Sequence, residues 1–491
     1  MIQLMMIGED YEQDIAPLLK SFYPKEEINI IKYQTEPEQA LSTETTHVLR
    51  LFQDRFEVFL YEKDNLKKRE EEILTESPLT RSIYRNALLR VLYRFLSEDT
   101  NQSLPWGIMT GIRPTKQVLE RLEEGTKEEE IKKYLKEEYY CSDEKIALSL
   151  NVAKREHEIL KDLNYQEGYS IYIGIPFCPS TCHYCSFTSY PLERFEHLVE
   201  PYLMALTKEM EYASTCIEKP LSTIYVGGGT PTTLSVKQLE YLLTKVDQYF
   251  GINGLKELTV EAGRPDSITR EKLEILKDFG VSRISINPQS MRQKTLDLIG
   301  RKHTATQIEE AFYLAREIGH DNINMDIIIG LSGENPSDVL YTLDKIKSMN
   351  PDSLTVHTLA IKRAARLNTQ REQYKDMEAV RVSDMLSETV LFANENDYHP
   401  YYLYRQKNMA ENLENVGYAR HGKEGIYNIL IMEEKQTILA LGAGGSSKFV
   451  FHKENRIERV ENVKSVMDYT ERIDEMIQRK KDFLRNSIKD L

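Results

Sequence analysis

Three of the five cysteines lie within one eight-residue segment, 178–185. Cys178, Cys182 and Cys185 follow the spacing CxxxCxxC. In a reducing compartment, cysteines this close together are typical of metal ligation or redox chemistry rather than of disulfides. A structural zinc site usually takes four protein ligands, whereas a 4Fe-4S cluster bound by three cysteines leaves one iron open for a small molecule. The spacing therefore favours a cluster, and the alternatives are zinc completed by His183 or a trio without metal.

Glycines or single polar residues accompany four successive segments that have the composition of buried strands. The first is the GGGTP sequence at 227–231, whose glycines allow a ligand to approach bare backbone. Its spacing does not match the fingerprints of dinucleotide-binding or ATP-binding loops. Glu261, Gln289 and Asp326 mark the ends of the next three segments. A ligand held against an apolar barrel interior needs such polar groups, so we predict that the four positions line one site.

Between residues 168 and 360 the sequence alternates short β-branched runs with segments of helical periodicity. Such runs are typical of strands buried in parallel sheets. Two capping-box pairs, Ser235 with Gln238 and Thr304 with Gln307, mark helix starts. The pattern predicts an α/β fold, a partial parallel (β/α)6 barrel whose chemistry collects at the C-terminal ends of the strands. The predicted strands cover 170–177, 223–226, 258–261, 283–286, 323–329 and 354–359.

The regions that flank the predicted barrel have different patterns. Residues 1–165 mix strand-like runs with helical stretches, which predicts an N-terminal α+β domain with a helical connector. The barrel is assigned to 166–365, after which the alternation of strands and helices stops. We expect 366–491 to be a helix-rich accessory region that covers the open side of the barrel and contains a β-hairpin at 426–432 and 437–441.

The composition argues against several classes of protein. The 491 residues include 64 Lys and Arg against 78 Asp and Glu, and the formal net charge of −14 argues against coating nucleic acid or an anionic membrane. No apolar run approaches the roughly 18 residues that span a bilayer, and the N-terminus has no signal-peptide pattern. We therefore expect a cytoplasmic protein with no membrane span and no nucleic-acid partner.

The motifs resemble a known family. The CxxxCxxC triplet on the loop after the first barrel strand is similar to the signature of the radical S-adenosylmethionine (SAM) enzymes. Several flanking segments, 111–116, 404–408, 414–418 and 441–444, resemble the HemZ branch of one family within that group, the oxygen-independent coproporphyrinogen III dehydrogenase (oxidase) family. The segments that resemble this family across the barrel are YIGIPFC at 172–178, GGGTP at 227–231, TVEA at 259–262, RISINPQS at 283–290, RKH at 301–303 and NMDIIIGL at 324–331.

The resemblance implies two cofactors and the residues that bind them. It implies that Cys178, Cys182 and Cys185 ligate a 4Fe-4S cluster whose open iron binds the methionyl amine and carboxylate of SAM. It also implies a set of residues that contact SAM or line the substrate pocket. These residues are Tyr172, Gly228, Gly229, Thr230, Glu261, Gln289, Arg301 and Asp326.

The activity implied by the resemblance is oxidative decarboxylation in anaerobic haem and porphyrin biosynthesis. A 5'-deoxyadenosyl radical removes hydrogen from a propionate of coproporphyrinogen III, and loss of carbon dioxide and one electron leaves a vinyl group. Two such conversions give protoporphyrinogen IX. The partners implied are this porphyrinogen and an electron donor such as a flavodoxin or ferredoxin.

A substrate with several carboxylates needs cationic side chains that form charge-assisted hydrogen bonds. His357, at the end of the sixth predicted strand, is a further candidate for the pocket. The candidate cations are Lys362, Arg363, Arg366, Arg405 and Lys407.

One departure from the family pattern leaves the substrate open. Porphyrin-making members continue the cluster motif with a further cysteine two residues after the third, and Phe187 occupies that position here. Chaperone-like relatives also lack that cysteine. Two alternatives therefore remain: a haem-binding trafficking protein that keeps the cluster and barrel, or a radical SAM enzyme that acts on haem.

Overall fold

The chain forms two compact units in the computed structural model, which describes residues 2–24, 26–35, 45–62, 65–74, 80–111, 113–359, 382–406 and 413–487. The first unit comprises Met1–Lys154 and Arg405–Leu413, and the second comprises Arg155–Tyr404 and Glu414–Leu491. The boundaries predicted from the sequence lie at 165/166 and 365/366. The described residues of the expected C-terminal region therefore belong to the second unit, apart from those within Arg405–Leu413.

The first unit is built on a five-stranded sheet. Its strands are β1 (Ile2–Ile7), β2 (Ile28–Tyr33), β3 (Thr45–Leu51), β4 (Arg55–Glu62) and β5 (Asn65–Ile73), in the order β2-β1-β3-β4-β5. β1 is parallel to both neighbours, and β3, β4 and β5 form antiparallel pairs. The helices of this part of the chain are α1 (Glu12–Phe22), α2 (Arg81–Thr100), α3 (Lys116–Glu123), α4 (Glu128–Tyr139) and α5 (Asp143–Leu163), the last of which continues into the second unit.

The second unit contains an eleven-stranded sheet whose centre is the predicted parallel barrel sheet. Apart from two short strands that form a separate pair, the strands of this centre lie side by side in chain order, and each is parallel to its neighbours. The α/β fold and the partial parallel barrel are confirmed. The strands are β6 (Tyr169–Ile175), β7 (Phe177–Cys178), β8 (Tyr190–Pro191), β9 (Leu221–Gly228), β10 (Glu257–Glu261), β11 (Arg283–Ser285), β12 (Ile323–Ile329) and β13 (Ser353–Thr358).

The helices between these strands begin where the sequence indicates. Both predicted capping boxes form, Ser235 with Gln238 and Thr304 with Gln307, and each satisfies backbone N–H groups that a helix start leaves free. Asn335 caps a third helix. These helices are α6 (Leu192–Phe195), α7 (Val199–Ala213), α8 (Val236–Phe250), α9 (Arg270–Asp278), α10 (Gln293–Leu298), α11 (Ala305–Ile318) and α12 (Pro336–Met349).

The C-terminal part of the chain extends the sheet on both edges, rather than forming a separate helix-rich region. The elements are α13 (Val382–Glu395), β14 (His399–Tyr404), β15 (Asn415–Ala419), α14 (Ile426–Glu433), β16 (Thr437–Leu441), β17 (Ser446–Phe451), β18 (Arg456–Glu461), α15 (Val466–Glu471) and α16 (Ile473–Ser487). At one edge the strand order is β13-β15-β14, and at the other it is β6-β16-β17-β18. β16 is parallel to β6, and the remaining added strands are antiparallel to their neighbours.

The hairpin predicted at 426–432 and 437–441 is wrong, because its first half is helix α14. A short apolar run fits a buried strand or a buried helix equally well. The side chain of Glu257 caps the N-terminus of this helix. Its carboxylate accepts hydrogen bonds from the backbone N–H groups of Ile426 at 2.6 Å and Tyr427 at 3.3 Å. A carboxylate at a helix N-terminus stabilises the helix.

In the described part of the chain, no helix is both long enough and apolar enough to cross a membrane.

Candidate functional site

The three cysteines lie on residues 176–189, the segment between β6 and β8, called here the cysteine loop. Cys178 and Cys185 are partly exposed and Cys182 is buried. Among the described residues, no group of three His, Cys, Asp or Glu side chains is placed to hold one metal ion. The sulfurs that bind a cubane cluster need not converge on one point as the ligands of a single ion do, because each thiolate binds a different iron.

Two donors from neighbouring loops point at the sulfurs of the cysteine loop. Oγ1 of Thr230 lies 3.7 Å from Sγ of Cys178, and Nη1 of Arg264 lies 3.8 Å from Sγ of Cys182. Hydrogen bonds to the sulfurs are a usual part of an iron–sulfur site. The donor set and its surroundings therefore fit a cluster bound by three cysteines.

The GGGTP turn packs directly against the cysteine loop. The N–H of Thr230 donates to the carbonyl oxygen of Phe177 at 2.7 Å, and the N–H of Gly229 donates to that of Ile175 at 2.8 Å. A Cβ at Gly229 would lie only 2.5 Å from the Phe177 carbonyl oxygen, so this position requires glycine. The structure thus brings together two motifs that are about 50 residues apart in the sequence.

His183 anchors the cysteine loop from the opposite side. Its backbone N–H donates to the carbonyl oxygen of Ile299 at 2.9 Å, and its Nδ1 lies 3.0 Å from that of Leu298. The ring also packs against Gly300, where a Cβ would lie 2.8 Å from Nε2. Both ring nitrogens therefore face the 298–300 segment, which does not favour zinc completed by His183.

Arg301 follows this segment and is buried. Its guanidinium donates to the carbonyl oxygen of Asn287 and interacts with Tyr184 and Cys182 of the cysteine loop. The residue thus links the segment that follows β11 to the cysteine loop.

Glu261, the last residue of β10, lies beside a stack of tyrosines. The hydroxyl of Tyr225 donates to Oε1 of Glu261 at 2.5 Å. The Tyr225 ring lies 6.2 Å from the ring of Tyr172 and 4.6 Å from that of Tyr427, centroid to centroid, and these two rings lie 6.4 Å from each other. Burial raises the pKa of Glu261 to about 7, against the lowering effect of Tyr225. Glu261 also accepts a hydrogen bond from the backbone of Gly228.

Asp326 lies in the middle of β12 rather than at its end. Its Oδ1 accepts a hydrogen bond from Asn324 at 2.7 Å, and its Oδ2 lies 3.7 Å from Nε2 of His357, whose Nδ1 lies 3.2 Å from the hydroxyl of Tyr404. Burial acts to raise the pKa of Asp326, but the neighbouring His357 imidazole and the hydrogen bond from Asn324 bring it below its ordinary value. Asp326 is therefore a carboxylate at neutral pH.

The end of β11 carries polar atoms that are buried and have no hydrogen-bond partner in the described structure. They are Oγ of Ser285, Oδ1 of Asn287 and Oε1 of Gln289. Gln289 has a φ of +65°, a left-handed conformation that is costly for a residue with a side chain. Its N–H bonds the carbonyl oxygen of Asp326 at 2.9 Å. Buried polar groups are normally paired, so this group points to a ligand with polar atoms.

The residues predicted to contact SAM form one connected group with the cysteine loop. Tyr172 approaches Gly228, where a Cβ would lie 2.9 Å from the tyrosine hydroxyl oxygen. Asp326 lies near enough to Glu261 to raise its pKa. Each of the eight residues therefore interacts with another member of the set or with the cysteine loop.

The predicted cations do not add to this group in the described structure. Arg405 belongs to the first unit, where it is buried, donates to the carbonyl oxygen of Met109 and lies over the ring of Trp106 at 5.6 Å. The others, Lys362, Arg363, Arg366 and Lys407, lie outside the described residues.

Arg264 was not among the residues predicted from the sequence. This residue lies three positions after Glu261 and contacts Cys182. Its position on a strand-end loop, directly before a proline and two residues before Asp266, was the only signal in the sequence. Surface arginines are common on such loops, so only burial distinguishes this one.

The chain is similar to several known proteins. The profile of the Radical SAM superfamily matches residues 172–346. The chain is 42% identical over 395 residues to the oxygen-independent coproporphyrinogen-III oxidase-like protein HemZ of Bacillus subtilis, covering 79% of each chain. It is 38% identical over 194 residues to the heme chaperone HemW of the same organism, covering 39% of this chain and 50% of the relative.

Among solved structures, the coproporphyrinogen III oxidase HemN of Escherichia coli, described as a radical SAM enzyme, has the same fold. The TM-score is 0.53 with 23% identity, over 65% of this chain and 72% of the other. The long match to HemZ includes both the barrel and its flanking regions. The chain therefore belongs to the radical SAM superfamily and, within it, to the HemN- and HemZ-like family of oxygen-independent coproporphyrinogen III oxidases and their relatives.

Proposed function

We propose that this protein is a radical SAM oxidoreductase that converts propionates of coproporphyrinogen III to vinyl groups, giving protoporphyrinogen IX. The observation that carries the proposal is the similarity to the coproporphyrinogen-III oxidase-like HemZ, at 42% identity over 79% of both chains. We further propose that it works in the cytoplasm, with a flavodoxin or ferredoxin as electron donor.

In this proposal Cys178, Cys182 and Cys185 hold a 4Fe-4S cluster. The eight residues predicted to contact SAM, which include Glu261 and Asp326, hold SAM or line the substrate pocket. The bound cofactors supply one-electron chemistry that no side chain supplies. The chain's own residues position the reactants and exclude water from them. Thr230 and Arg264 donate to the sulfurs, which orients the thiol groups.

The two carboxyl groups have different parts in this proposal. Asp326, which is ionised at neutral pH, accepts hydrogen bonds from hydroxyl or amino groups of the ligand. Glu261, with a pKa of about 7, exists in both protonation states near neutral pH and can accept or donate a hydrogen bond. Gly228 and Gly229 let the ligand approach the backbone.

The test is an anaerobic assay of the full chain. The protein is reconstituted with iron and sulfide and given a chemical reductant, SAM and coproporphyrinogen III, and the products are followed by mass spectrometry. Formation of 5'-deoxyadenosine together with stepwise loss of two carboxyl groups is the expected result. Deoxyadenosine without decarboxylated porphyrin would contradict the substrate but not the radical chemistry, and would direct the search to haem as the substrate.

A second candidate, a haem-trafficking protein, is supported by a specific residue. Phe187 occupies the position of the fourth cysteine of porphyrin-making relatives, and its side chain is 72% exposed on the cysteine loop. The chain is also 38% identical to the heme chaperone HemW of Bacillus subtilis over 194 residues, 39% of its length. This candidate predicts tight haem binding, with neither deoxyadenosine nor decarboxylated product from protein that carries a full cluster.

A further inference from the structure

The guanidinium of Arg264 lies on the loop after β10 and is buried against the cysteine loop. The side chain is 3% exposed. Its Nη1 donates to the carbonyl oxygen and Oγ of Ser180, at 3.0 and 2.9 Å, and lies 3.8 Å from Sγ of Cys182. One nitrogen thus contacts both the backbone of the loop and the sulfur of a candidate cluster ligand.

The other side of the guanidinium binds Asp266 in a bidentate pair. Nε and Nη2 of Arg264 donate to the two carboxylate oxygens of Asp266 at 2.9 and 2.6 Å. Oδ1 of Asp266 also lies 3.6 Å from Nδ1 of His303, whose side chain is fully buried. Burial acts to raise the pKa of Asp266, but His303 and Arg264 hold it well below its ordinary value. Asp266 is therefore a carboxylate, and the pair carries no net charge.

Buried charges that lie close together interact strongly, because solvent screens them little. Reduction of an iron–sulfur cluster adds one negative charge, so a cation beside a ligand sulfur stabilises the reduced form more than the oxidised form. A carboxylate beside that cation offsets the effect. Hydrogen bonds to the sulfurs and net local charge are two of the factors that set cluster potentials.

We propose that Arg264 raises the reduction potential of the cluster bound by the cysteine loop and that Asp266 limits this rise. The inference rests on the proposed function, because it requires that the three cysteines hold a 4Fe-4S cluster. Arg264 and Asp266 are positioning residues. They act on the cluster through its ligand Cys182 and through their own charges. The electron itself comes from a low-potential one-electron donor.

The experiment measures the midpoint potential of the reconstituted full-length protein by an anaerobic titration followed by electron paramagnetic resonance. Arg264→Met leaves Asp266 unpaired and should shift the midpoint to a lower potential. At the wild-type midpoint, we expect the ratio of reduced to oxidised cluster to fall about tenfold, a shift of ~59 mV for a one-electron couple. Asp266→Asn leaves Arg264 unpaired and should shift the midpoint in the opposite direction.

Two further variants separate charge from structure. Arg270 lies, like Arg264, between β10 and β11, but it is exposed and pairs with Glu317 at 2.7 Å. Arg270→Met should therefore leave the midpoint unchanged. Arg264→Lys keeps the charge without the bidentate geometry, so we expect a midpoint near that of wild type with poorer cluster retention.

The outcomes are distinguishable by iron and sulfide analysis of each sample. Equal midpoints for wild type and Arg264→Met at equal cluster content would overturn the inference alone. Shifts of the same sign in Arg264→Met and Asp266→Asn would overturn it too, because loosening of the loop would then explain both. If Arg264→Met does not fold, an unshifted Asp266→Asn overturns the inference. A wild-type protein that takes up no cluster would reject the proposed function and the inference together.

Discussion

The cysteine loop and the carboxyl groups of the barrel differ in what holds them in place. The cysteine loop is fixed by side chains and carbonyl groups from three distant segments, through Thr230, Arg264 and the 298–300 segment. Glu261 and Asp326 are instead fixed by the strands on which they lie, whose hydrogen-bonded register sets their positions. The loop therefore depends on individual tertiary contacts, whereas the carboxyl groups depend on the sheet as a whole.

Glu261 and Asp326 themselves show that burial alone does not decide ionisation. Burial acts to raise the pKa of both groups. Glu261 has a phenol as its main partner and a neighbouring negative charge, and its pKa rises to about 7. Asp326 has an imidazole and an amide as partners, and its pKa falls below the ordinary value. Partner chemistry thus decides which carboxyl group is charged.

The largest effect is expected in the cysteine loop. Cys182→Ala should abolish cluster binding and all SAM cleavage while leaving helical content nearly intact, because the sheet does not depend on this side chain. Iron analysis, deoxyadenosine formation and circular dichroism measure the three quantities. A folded, soluble variant that retains the cluster at the iron content of wild type would contradict the assignment of this cysteine.

Stability as a function of pH should test Glu261. Its pKa in the folded protein is raised from 4.5 to about 7, so its contribution to stability is fully present below about pH 4.5 and is lost as the pH rises through about 7. The contribution corresponds to at most about 3 kcal/mol. Glu261→Gln should remove this part of the pH dependence, measured as the difference in thermal midpoint from wild type between pH 5 and 8. A constant difference across that range would show that Glu261 has an ordinary pKa.

Gly300→Ala should loosen the anchor of the cysteine loop. The glycine has a φ of +75°, and a Cβ would lie 2.8 Å from the ring of His183. We expect a loss of about 2 kcal/mol in unfolding free energy and poorer cluster retention. Gly280→Ala is the matched control, because its φ is +67° but nothing lies within 4 Å of the added Cβ. Equal effects of the two substitutions would exclude a contribution from the His183 contact.

The smallest effect is expected for His357. In His357→Gln the hydrogen bond that lowers the pKa of Asp326 is weakened, so burial should raise that pKa and protonate a larger fraction at low pH. SAM binding, measured by calorimetry on reconstituted protein, should weaken about fivefold from pH 8 to pH 6, an effect of about 1 kcal/mol. Wild type should show less change, and Tyr404→Phe should fall between them. Identical pH profiles for all three proteins would remove His357 from the site.

The sequence predicted the parallel part of the barrel well, because each βα unit carries local signals. Buried β-branched runs and capping boxes such as Ser235 with Gln238 act within a few residues of one another. The C-terminal region was predicted less well. The helix at 426–433 is capped at its N-terminus by Glu257, which lies about 170 residues earlier in the chain, so no local signal indicates this contact.

The same distinction applies to the candidate site. The residue types and spacing of Cys178, Cys182 and Cys185, together with the polar strand ends, were enough to predict a candidate site, and the structure brings these residues near one another. The burial of Arg264 and its contact with Cys182 could not be predicted, because they depend on how two loops more than 80 residues apart meet.

The amino-acid sequence by itself predicted which residues would bind a cluster and a ligand, and it located the parallel strands near them, because these predictions follow from local composition, spacing and periodicity. Only the tertiary structure decided how the groups are charged and paired. It gives Glu261 and Asp326 opposite pKa shifts, anchors His183 to backbone carbonyls and directs Arg264 towards a sulfur. The physical reason is that desolvation and hydrogen bonding depend on neighbours that chain folding brings together from distant segments.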